Sequence, residues 1–249
     1  MSTKRPDVIC LSGFDPSGGA GILADMKTLE MHLVQGLGVC TALTFQNDQS
    51  FDGMEWVSEK NMLRQLDVLL AAYQPMAVKI GIIENLNVLI KAIEKLMHQN
   101  PDIPIIWDPI LNASAGFNFH EEFDRDLFDY LLSRISLLTP NLPECEHLFG
   151  TSNVNVIREK VSCAVLIKGG HAESDFATDV LIANGEQQLF RHERKMGFSK
   201  HGTGCILSSA IAANLALGRS LAESCRLAKE YMQSILTSNH TQLAYHYEA

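Results

Sequence analysis

The sequence lacks long apolar runs and is short of positive charge. No stretch approaches the roughly 20 apolar residues that a membrane-spanning helix requires. The 20 Lys and Arg residues stand against 29 Asp and Glu residues, a formal net charge of −9. This balance argues against nucleic acid or a membrane as a partner, since both require basic surfaces. An anionic small molecule would need a local binding feature.

The cysteines lack a recognisable pattern. They show neither a CxxC pair nor the spacing of a zinc site, and no secretory signal precedes them. The six cysteines lie at positions 10, 40, 145, 163, 205 and 225. We therefore expect reduced thiols in a soluble, cytoplasmic protein.

Three common nucleotide-binding or catalytic motifs are also missing. Residues 12–21 are rich in glycine, but they have neither the GxGxxG spacing of a dinucleotide site nor the GxxxxGK(S/T) spacing of a P-loop. No GxSxG turn of the kind that carries a hydrolase serine is present. The sequence therefore disfavours a dinucleotide-binding protein and an α/β-hydrolase.

Short apolar segments alternate with longer amphipathic ones along the 249 residues. This alternation is typical of an α/β protein with a mostly parallel sheet and helices on both faces, here as one domain over residues 1–249. Two apolar segments that flank Asn184-Gly185 predict a hairpin, and therefore an antiparallel edge. The predicted strands are 8–11, 38–46, 77–82, 105–108, 136–139, 163–168, 179–183 and 187–192, and the predicted helices are 22–34, 59–72, 86–98, 123–133, 205–217 and 221–238.

The most informative segment is His201-Gly202-Thr203-Gly204-Cys205, which leads into a helix of small residues. The first N–H groups of a helix have no internal partner and carry a partial positive charge, so phosphate binds there readily. The glycines allow a close approach, and the first turn of a helix is expected to lower the pKa of the Cys205 thiol. An ordinary helix start with a buried cysteine is the alternative, and covalent catalysis by Cys205 with His201 is disfavoured.

Polar residues follow several predicted strands, where ligands bind in such sheets. Asp108 and Glu144 suit Mg²⁺, which typically takes one or two protein carboxylates. The alternative for Glu144 is a capping box with Asn141. Lys168 could bring positive charge to a phosphate or be a solvated strand-end lysine.

Three further polar residues are ambiguous. Asp15 and Asp25 could contact a ligand or cap helices, and capping is the preferred interpretation for Asp25. His171, like His201, could contact phosphate or be a polar loop residue, and neither has metal-ligand spacing with another His or Cys.

Taken together, seven motifs resemble the hydroxymethylpyrimidine/phosphomethylpyrimidine kinases of thiamine biosynthesis, which belong to the ribokinase-like superfamily. The resemblance runs in order from about residue 8 to about residue 236. The motifs are SGFDPSGGAGILAD at 12–25, LTFQN at 43–47, KIG at 79–81, DP at 108–109, TPNLPE at 139–144, KGGH at 168–171 and HGTGC at 201–205.

The resemblance implies a three-layer αβα ribokinase-like fold, a homodimer, and phosphorylation of 4-amino-5-hydroxymethyl-2-methylpyrimidine and then its monophosphate, with ATP and Mg²⁺. It implies that Gln46 binds the pyrimidine, that Gly13 and Asp15 lie near it, and that Asp108 and Glu144 organise Mg²⁺. The phosphate-binding and catalytic residues that it implies are Asn141, Lys168, His201, Gly202, Thr203, Gly204 and Cys205, with Cys205 in place of the aspartate base of sugar-kinase relatives.

The chain departs from the family pattern in two places near the expected site. Residues 110–116 contain no lysine, although the family often has a lysine-serine-glycine element there, and Ile82 stands where methionine is usual. Two other functions therefore stay open. One is a pyridoxal or pyridoxine kinase, and the other is a non-catalytic pyrimidine-binding relative.

Overall fold

The computed structural model describes residues 4–110, 124–169, 175–195 and 197–247. The strands there are β1 (Asp7–Phe14), β2 (Gln35–Gln46), β3 (Phe51–Trp56), β4 (Ala77–Ile80), β5 (Ile105–Trp107), β6 (Leu137–Leu138), β7 (Ala164–Ile167), β8 (Phe176–Ala183) and β9 (Glu186–Glu193). The helices are α1 (Gly21–Met31), α2 (Glu59–Ala72), α3 (Leu86–Gln99), α4 (Arg125–Leu132), α5 (Leu142–Phe149), α6 (Val154–Lys160), α7 (Thr203–Ala216) and α8 (Leu221–Thr237).

All the strands join one sheet in the order β3-β2-β1-β4-β5-β6-β7-β8-β9. The pairs from β2 to β7 are parallel, whereas β8 and β9 form the predicted antiparallel edge. Asn184 and Gly185 at the hairpin turn have φ angles of 52° and 76°, the positive values that a tight two-residue turn requires. The mostly parallel sheet with an antiparallel edge is confirmed.

The opposite edge of the sheet is also antiparallel, because β3 folds back on β2. The sequence did not predict β3, whose residues FDGMEW include a glycine and two acidic side chains and show little apolar alternation. This strand lengthens the sheet beyond the predicted edge and brings Phe51 to the cavity described below.

Alternate side chains of the strands enter two different apolar layers. In β1, Ile9 and Leu11 pack with α2, α3, α4 and α5, while Val8 and Cys10 pack with α1, α7 and α8. Successive side chains of a strand point to opposite faces, so a strand that is apolar throughout requires helices on both faces. The structure confirms the three-layer αβα arrangement.

The carboxyl ends of the parallel strands meet at one edge of the sheet, and α7 begins there. Asp108 directly follows β5, Asn141 follows β6 after two residues, and Lys168 follows β7. Helix α7 is buried on nearly all sides, so its first turn is held against the sheet. No helix in the described ranges is both long and apolar enough to cross a lipid bilayer.

Candidate active site

A cavity of about 520 Å³ lies at this edge of the sheet. It is lined by every residue that the resemblance assigned to substrate, phosphate, metal or catalysis, although their individual roles stay predictions. These residues are Gly13, Asp15, Gln46, Asp108, Asn141, Glu144, Lys168, His201, Gly202, Thr203, Gly204 and Cys205. The structure therefore brings together residues from six separate segments of the chain.

Helix α7 begins at the cavity, and its N-cap residue is a glycine, which has no side chain to cap the helix. Gly202 is the N-cap residue, with φ of 76°, and no side chain accepts a hydrogen bond from the first turn. The N–H groups of Thr203, Gly204 and Cys205 precede the first intrahelical bond, which Ile206 donates to Gly202. They are therefore available to an anion in the cavity. We call residues 202–205 the anion turn.

The Cys205 thiol does not have the predicted acidity. Cys205 is 5% exposed. Burial raises the pKa of its thiol above the usual value, and the charge of Lys79 opposes this rise. The prediction that the first turn of the helix lowers this pKa is wrong, because desolvation of the thiolate outweighs the nearby positive charge. The thiol is protonated at neutral pH.

Lys168 joins the two carboxylates that were predicted to bind Mg²⁺. Its Nζ lies 2.6 Å from Oδ1 of Asp108 and 3.8 Å from Oε2 of Glu144. Burial alone would lower the pKa of Lys168, but the attraction of Asp108 and Glu144 outweighs burial and raises it. The interpretation of Lys168 as a solvated strand-end lysine is wrong, since its side chain is only 15% exposed.

Glu144 forms the capping box and also faces the cavity. The N–H of Asn141 donates to Oε2 of Glu144 at 2.7 Å, and the N–H of Glu144 donates to Oδ1 of Asn141 at 2.8 Å. Burial raises the pKa of Glu144 to about 7, with Lys168 opposing and Asp108 reinforcing the rise. The capping alternative is therefore confirmed, and it fixes the carboxylate beside Lys168.

Asp15 organises its own loop and links that loop to the anion turn. Its carboxylate accepts hydrogen bonds from the N–H of Ser17 at 2.9 Å and the N–H of Ala20 at 2.8 Å. Nε2 of His201 lies 3.0 Å from Oδ2 of Asp15. Burial favours a higher pKa for Asp15, but the hydrogen bonds from His201 and Ser17 outweigh it and lower the pKa.

Asp25 is part of a buried ion pair under the site. Its carboxylate lies 2.9 Å from Nζ of Lys79, and both side chains are 0% exposed. The hydroxyls of Ser12 and Ser209 each donate to this carboxylate at 2.6 Å. The prediction that Asp25 caps a helix is wrong, because Ala20 is the N-cap of α1.

The sequence signal for this pair was the lysine itself. Lys79 interrupts an otherwise apolar strand, and a buried ammonium group requires a partner. Other cavity residues that the sequence did not single out are Thr44, Phe51 and Lys200. His171 and residues 111–116 lie outside the described residues.

A mostly parallel αβα sheet with a glycine-rich anion turn at a helix start is the arrangement that the resemblance to ribokinase-like kinases implies. The profile of the phosphomethylpyrimidine kinase family matches residues 15–248, and the chain belongs to that family.

Individual relatives agree with this assignment. A hydroxymethylpyrimidine/phosphomethylpyrimidine kinase of Staphylococcus aureus strain MSSA476 is 33% identical over 241 residues, covering 92% of this chain and 87% of the relative. The crystal structure of phosphomethylpyrimidine kinase from Clostridium difficile 630 is 31% identical, with a TM-score of 0.76, and the match covers 93% of this chain and 99% of that one. The pyridoxal kinase of Staphylococcus aureus in complex with ADP has a TM-score of 0.83 at 23% identity, covering 97% of this chain and 92% of that one, and it shows the fold alone.

Proposed function

We propose that the protein transfers the γ-phosphate of ATP to the hydroxymethyl group of 4-amino-5-hydroxymethyl-2-methylpyrimidine, and then phosphorylates the monophosphate, in thiamine biosynthesis. The observation that carries the proposal is the single cavity that holds the anion turn, the Asp108-Lys168-Glu144 group and Gln46 together. These are the parts that a phosphoryl transfer to a small polar heterocycle requires.

The anion turn would hold the transferred phosphate. Phosphoryl transfer depends mainly on positioning and on neutralising charge at the phosphate oxygens. The N–H groups of Thr203, Gly204 and Cys205 would stabilise its negative charge without any side-chain rearrangement. Gly204 leaves room for this, because a Cβ there would lie 3.2 Å from Oδ2 of Asp108 and 3.5 Å from Nζ of Lys168.

Asp108 and Glu144 fit the needs of Mg²⁺. Mg²⁺ prefers carboxylate oxygens and takes one or two of them from the protein, and these two carboxylates converge on one lysine at the cavity wall. Among the described residues no group of three or more potential ligands occurs, and Mg²⁺ does not require one. When bound, the ion would neutralise charge on the phosphate oxygens, beside Lys168.

Gln46, Gly13 and Asp15 would form the substrate side of the cavity. The amide of Gln46 can both donate to and accept from the edge of an aminopyrimidine. Gly13 keeps that side open, because a Cβ there would lie 3.1 Å from Cγ2 of Ile82. Asp15 would act chiefly by holding its loop, since its oxygens already accept several hydrogen bonds.

Cys205 would receive the proton of the substrate hydroxyl group. Because its thiol is protonated at neutral pH, only its small ionised fraction can accept a proton. General-base assistance is typically worth about 10²–10⁴-fold, and the anion turn can act without it. Cys205 therefore assists transfer rather than enabling it.

We also propose that the protein is a single-domain homodimer in the cytoplasm. The family resemblance supports the dimer, and the six cysteines, all within the described residues and all unpaired, suit a reducing compartment. Light scattering coupled to gel filtration tests the dimer directly, and a monomeric mass would contradict it.

Phosphorylation of pyridoxal is the competing activity. The lysines that line the cavity do not offer a free amine to its aldehyde. Nζ of Lys168 is engaged by Asp108, and Nζ of Lys200 by three oxygen atoms of residues 239–241. This arrangement favours the pyrimidine.

A substrate comparison tests the proposal. With equal ATP and Mg²⁺, ADP release is measured with the hydroxymethylpyrimidine, pyridoxal and pyridoxine. We expect kcat/KM to favour the pyrimidine at least about tenfold, the discrimination that a few polar contacts supply. A preference for pyridoxal, or tight binding of the pyrimidine without ADP release, would overturn it.

A further inference from the structure

Lys200 directly precedes the loop residue His201, yet its side chain points into the C-terminal segment. Its Nζ donates to the carbonyl oxygen of Asn239 at 2.7 Å, to Oδ1 of Asn239 at 2.9 Å and to the carbonyl oxygen of Thr241 at 2.6 Å. An ammonium group has three donors, and this segment accepts all of them. Lys200 is 7% exposed, so these bonds compensate the loss of its hydration.

The same segment contacts the residues directly before the anion turn through other atoms. We call residues 239–243 the C-terminal strap. The N–H of His201 donates to the carbonyl oxygen of Gln242 at 2.9 Å, and the Gln242 amide donates to Oγ of Ser199 at 2.9 Å. Leu243 packs over Gly19, where a Cβ would lie 2.8 Å from its Cδ2. The strap therefore contacts both the residues directly before the anion turn and the loop that contains Asp15.

Beneath the strap, residues 199–202 and the loop that contains Asp15 are in close backbone contact. A Cβ at Gly202 would lie 2.0 Å from the carbonyl oxygen of Gly19, and His201 reaches Asp15 at 3.0 Å. Residues 199–202 are thus packed between the Asp15 loop and the strap. Since Gly202 begins α7, a shift of these residues moves the first N–H groups of the helix.

We propose that Lys200 is a positioning residue, which ties the C-terminal strap to residues 199–202 and so holds the N–H groups of the anion turn where the transferred phosphate binds. The inference rests on the proposed function. Displacing reacting groups by about 1 Å costs up to about 100-fold in rate. The contacts of Lys200 with the strap can therefore affect turnover through the position of the anion turn, while its ammonium group is bonded to Asn239 and Thr241.

Two substitutions disrupt the contact between Lys200 and the strap, one on each side of it. Lys200→Met removes the ammonium group and keeps the length of the side chain. Asn239→Ala removes one of the three acceptors of Lys200, together with the bonds that the Asn239 side chain makes to Thr241 and Leu243 within the strap, and leaves residues 199–205 unchanged. Lys160→Met is the matched control, because Nζ of Lys160 also donates to a carbonyl oxygen, that of Phe149 at 3.0 Å, outside the cavity. We expect kcat to fall about tenfold or more in both strap variants and to be unchanged in the control.

A binding measurement separates positioning from a general structural role. Calorimetry on each folded variant gives its affinities for a non-hydrolysable ATP analogue and for ADP, which lacks the γ-phosphate. We expect the strap variants to lose affinity for the analogue about tenfold while affinity for ADP stays within about twofold. If Lys200→Met does not fold, Asn239→Ala decides.

The inference is overturned if a folded strap variant keeps both kcat and the ratio of the two affinities within about twofold of the wild type. If the wild-type protein releases no ADP with the hydroxymethylpyrimidine, that result contradicts the proposed function and not the role of Lys200. The affinity ratio would still report on the strap, because it needs no acceptor substrate.

Discussion

At the scale of single residues, the anion turn depends on a glycine for two separate reasons. Gly202 has a left-handed φ of 76°, and a Cβ on it would lie 2.0 Å from the carbonyl oxygen of Gly19. The first reason is a modest conformational cost for any other residue. The second is a backbone collision that only movement of the turn can relieve.

Gly218 allows these two reasons to be separated. It has a φ of 81°, but a Cβ there would meet nothing within 4 Å. We expect Gly202→Ala to reduce kcat about 100-fold or more, the usual cost of losing an anion-hole donor. Gly218→Ala should lower the melting temperature slightly and leave kcat unchanged. Steady-state kinetics and thermal unfolding check this, and equal kcat values for the two variants would contradict it.

Cys205 gives a prediction about pH. Because burial raises the pKa of its thiol above the usual value, the ionised fraction at neutral pH is small and grows as pH rises. If the thiolate accepts the substrate proton, kcat increases with pH on the alkaline side. Cys205→Ser should lower kcat by about 10²-fold or more and abolish this increase.

The matched control for this prediction is Cys225→Ser, another buried cysteine, which lies on α8 outside the cavity. It should keep both kcat and the alkaline increase. Measured pH profiles of kcat decide, and a Cys205→Ser profile parallel to that of the wild type would remove the thiol from the mechanism.

At the scale of elements, one buried ion pair joins four of them beneath the anion turn. Lys79 in β4 bonds to Asp25 in α1 and to Ser12 in β1, and Ser209 in α7 donates to Asp25. Ser209 lies one helical turn after Cys205, so the network sets the position of α7 on the sheet. Burial alone would lower the pKa of Lys79, but Asp25 outweighs burial and raises the pKa, so Lys79 keeps its charge.

Breaking this pair from one side leaves a buried charge without a partner. We expect Lys79→Met to reduce the free energy of unfolding by about 3–5 kcal/mol, measured by urea denaturation. The double variant Lys79→Met with Asp25→Asn should lose less than the single variant, because the orphaned carboxylate is gone.

The control is Lys91→Met, which breaks an exposed pair with Glu59 and should cost about 0–1 kcal/mol. A double variant less stable than Lys79→Met alone would contradict an electrostatic origin for the loss.

At the scale of the whole molecule, two apolar layers pack against the two faces of the sheet. Cys145 lies in the layer with α2 to α5, and Cys225 lies in the layer with α1, α7 and α8. Neither residue is more than 1% exposed. Strands β1 and β4 to β8 contribute side chains to both layers, so loss of one layer exposes strands that also support the other layer.

If the chain is the single domain proposed above, this arrangement predicts unfolding as one unit. Thiol labelling at increasing urea concentrations, read by mass spectrometry at Cys145 and Cys225, should give the same midpoint for both. The two cysteines serve as controls for each other, since both are buried in their own layer. Midpoints that differ clearly would show that the layers unfold separately.

Much of the secondary structure of this protein could be predicted from its sequence with rules that involve only neighbouring residues. The Asn184-Gly185 turn, the run of apolar strands and the glycines before α7 act through backbone sterics and side-chain periodicity, which nearby residues determine. Gln46, Asp108 and Lys168 could be assigned to one site because strands of a parallel sheet end at a common edge.

Long-range contacts decided the rest. The sequence could not show that Asp25 pairs with Lys79, that Lys200 is held by residues 239–241, or that β3 closes the far edge of the sheet. Nor could it set the acidity of Cys205, because the pKa of a thiol depends on how completely the fold removes water and which charges it brings near. The sequence by itself determined most of the helices and strands, since these follow from local geometry, and its motifs pointed to most of the polar residues that line the cavity. Only the tertiary structure decided charge pairing, burial and pKa, since these depend on groups far apart in the chain.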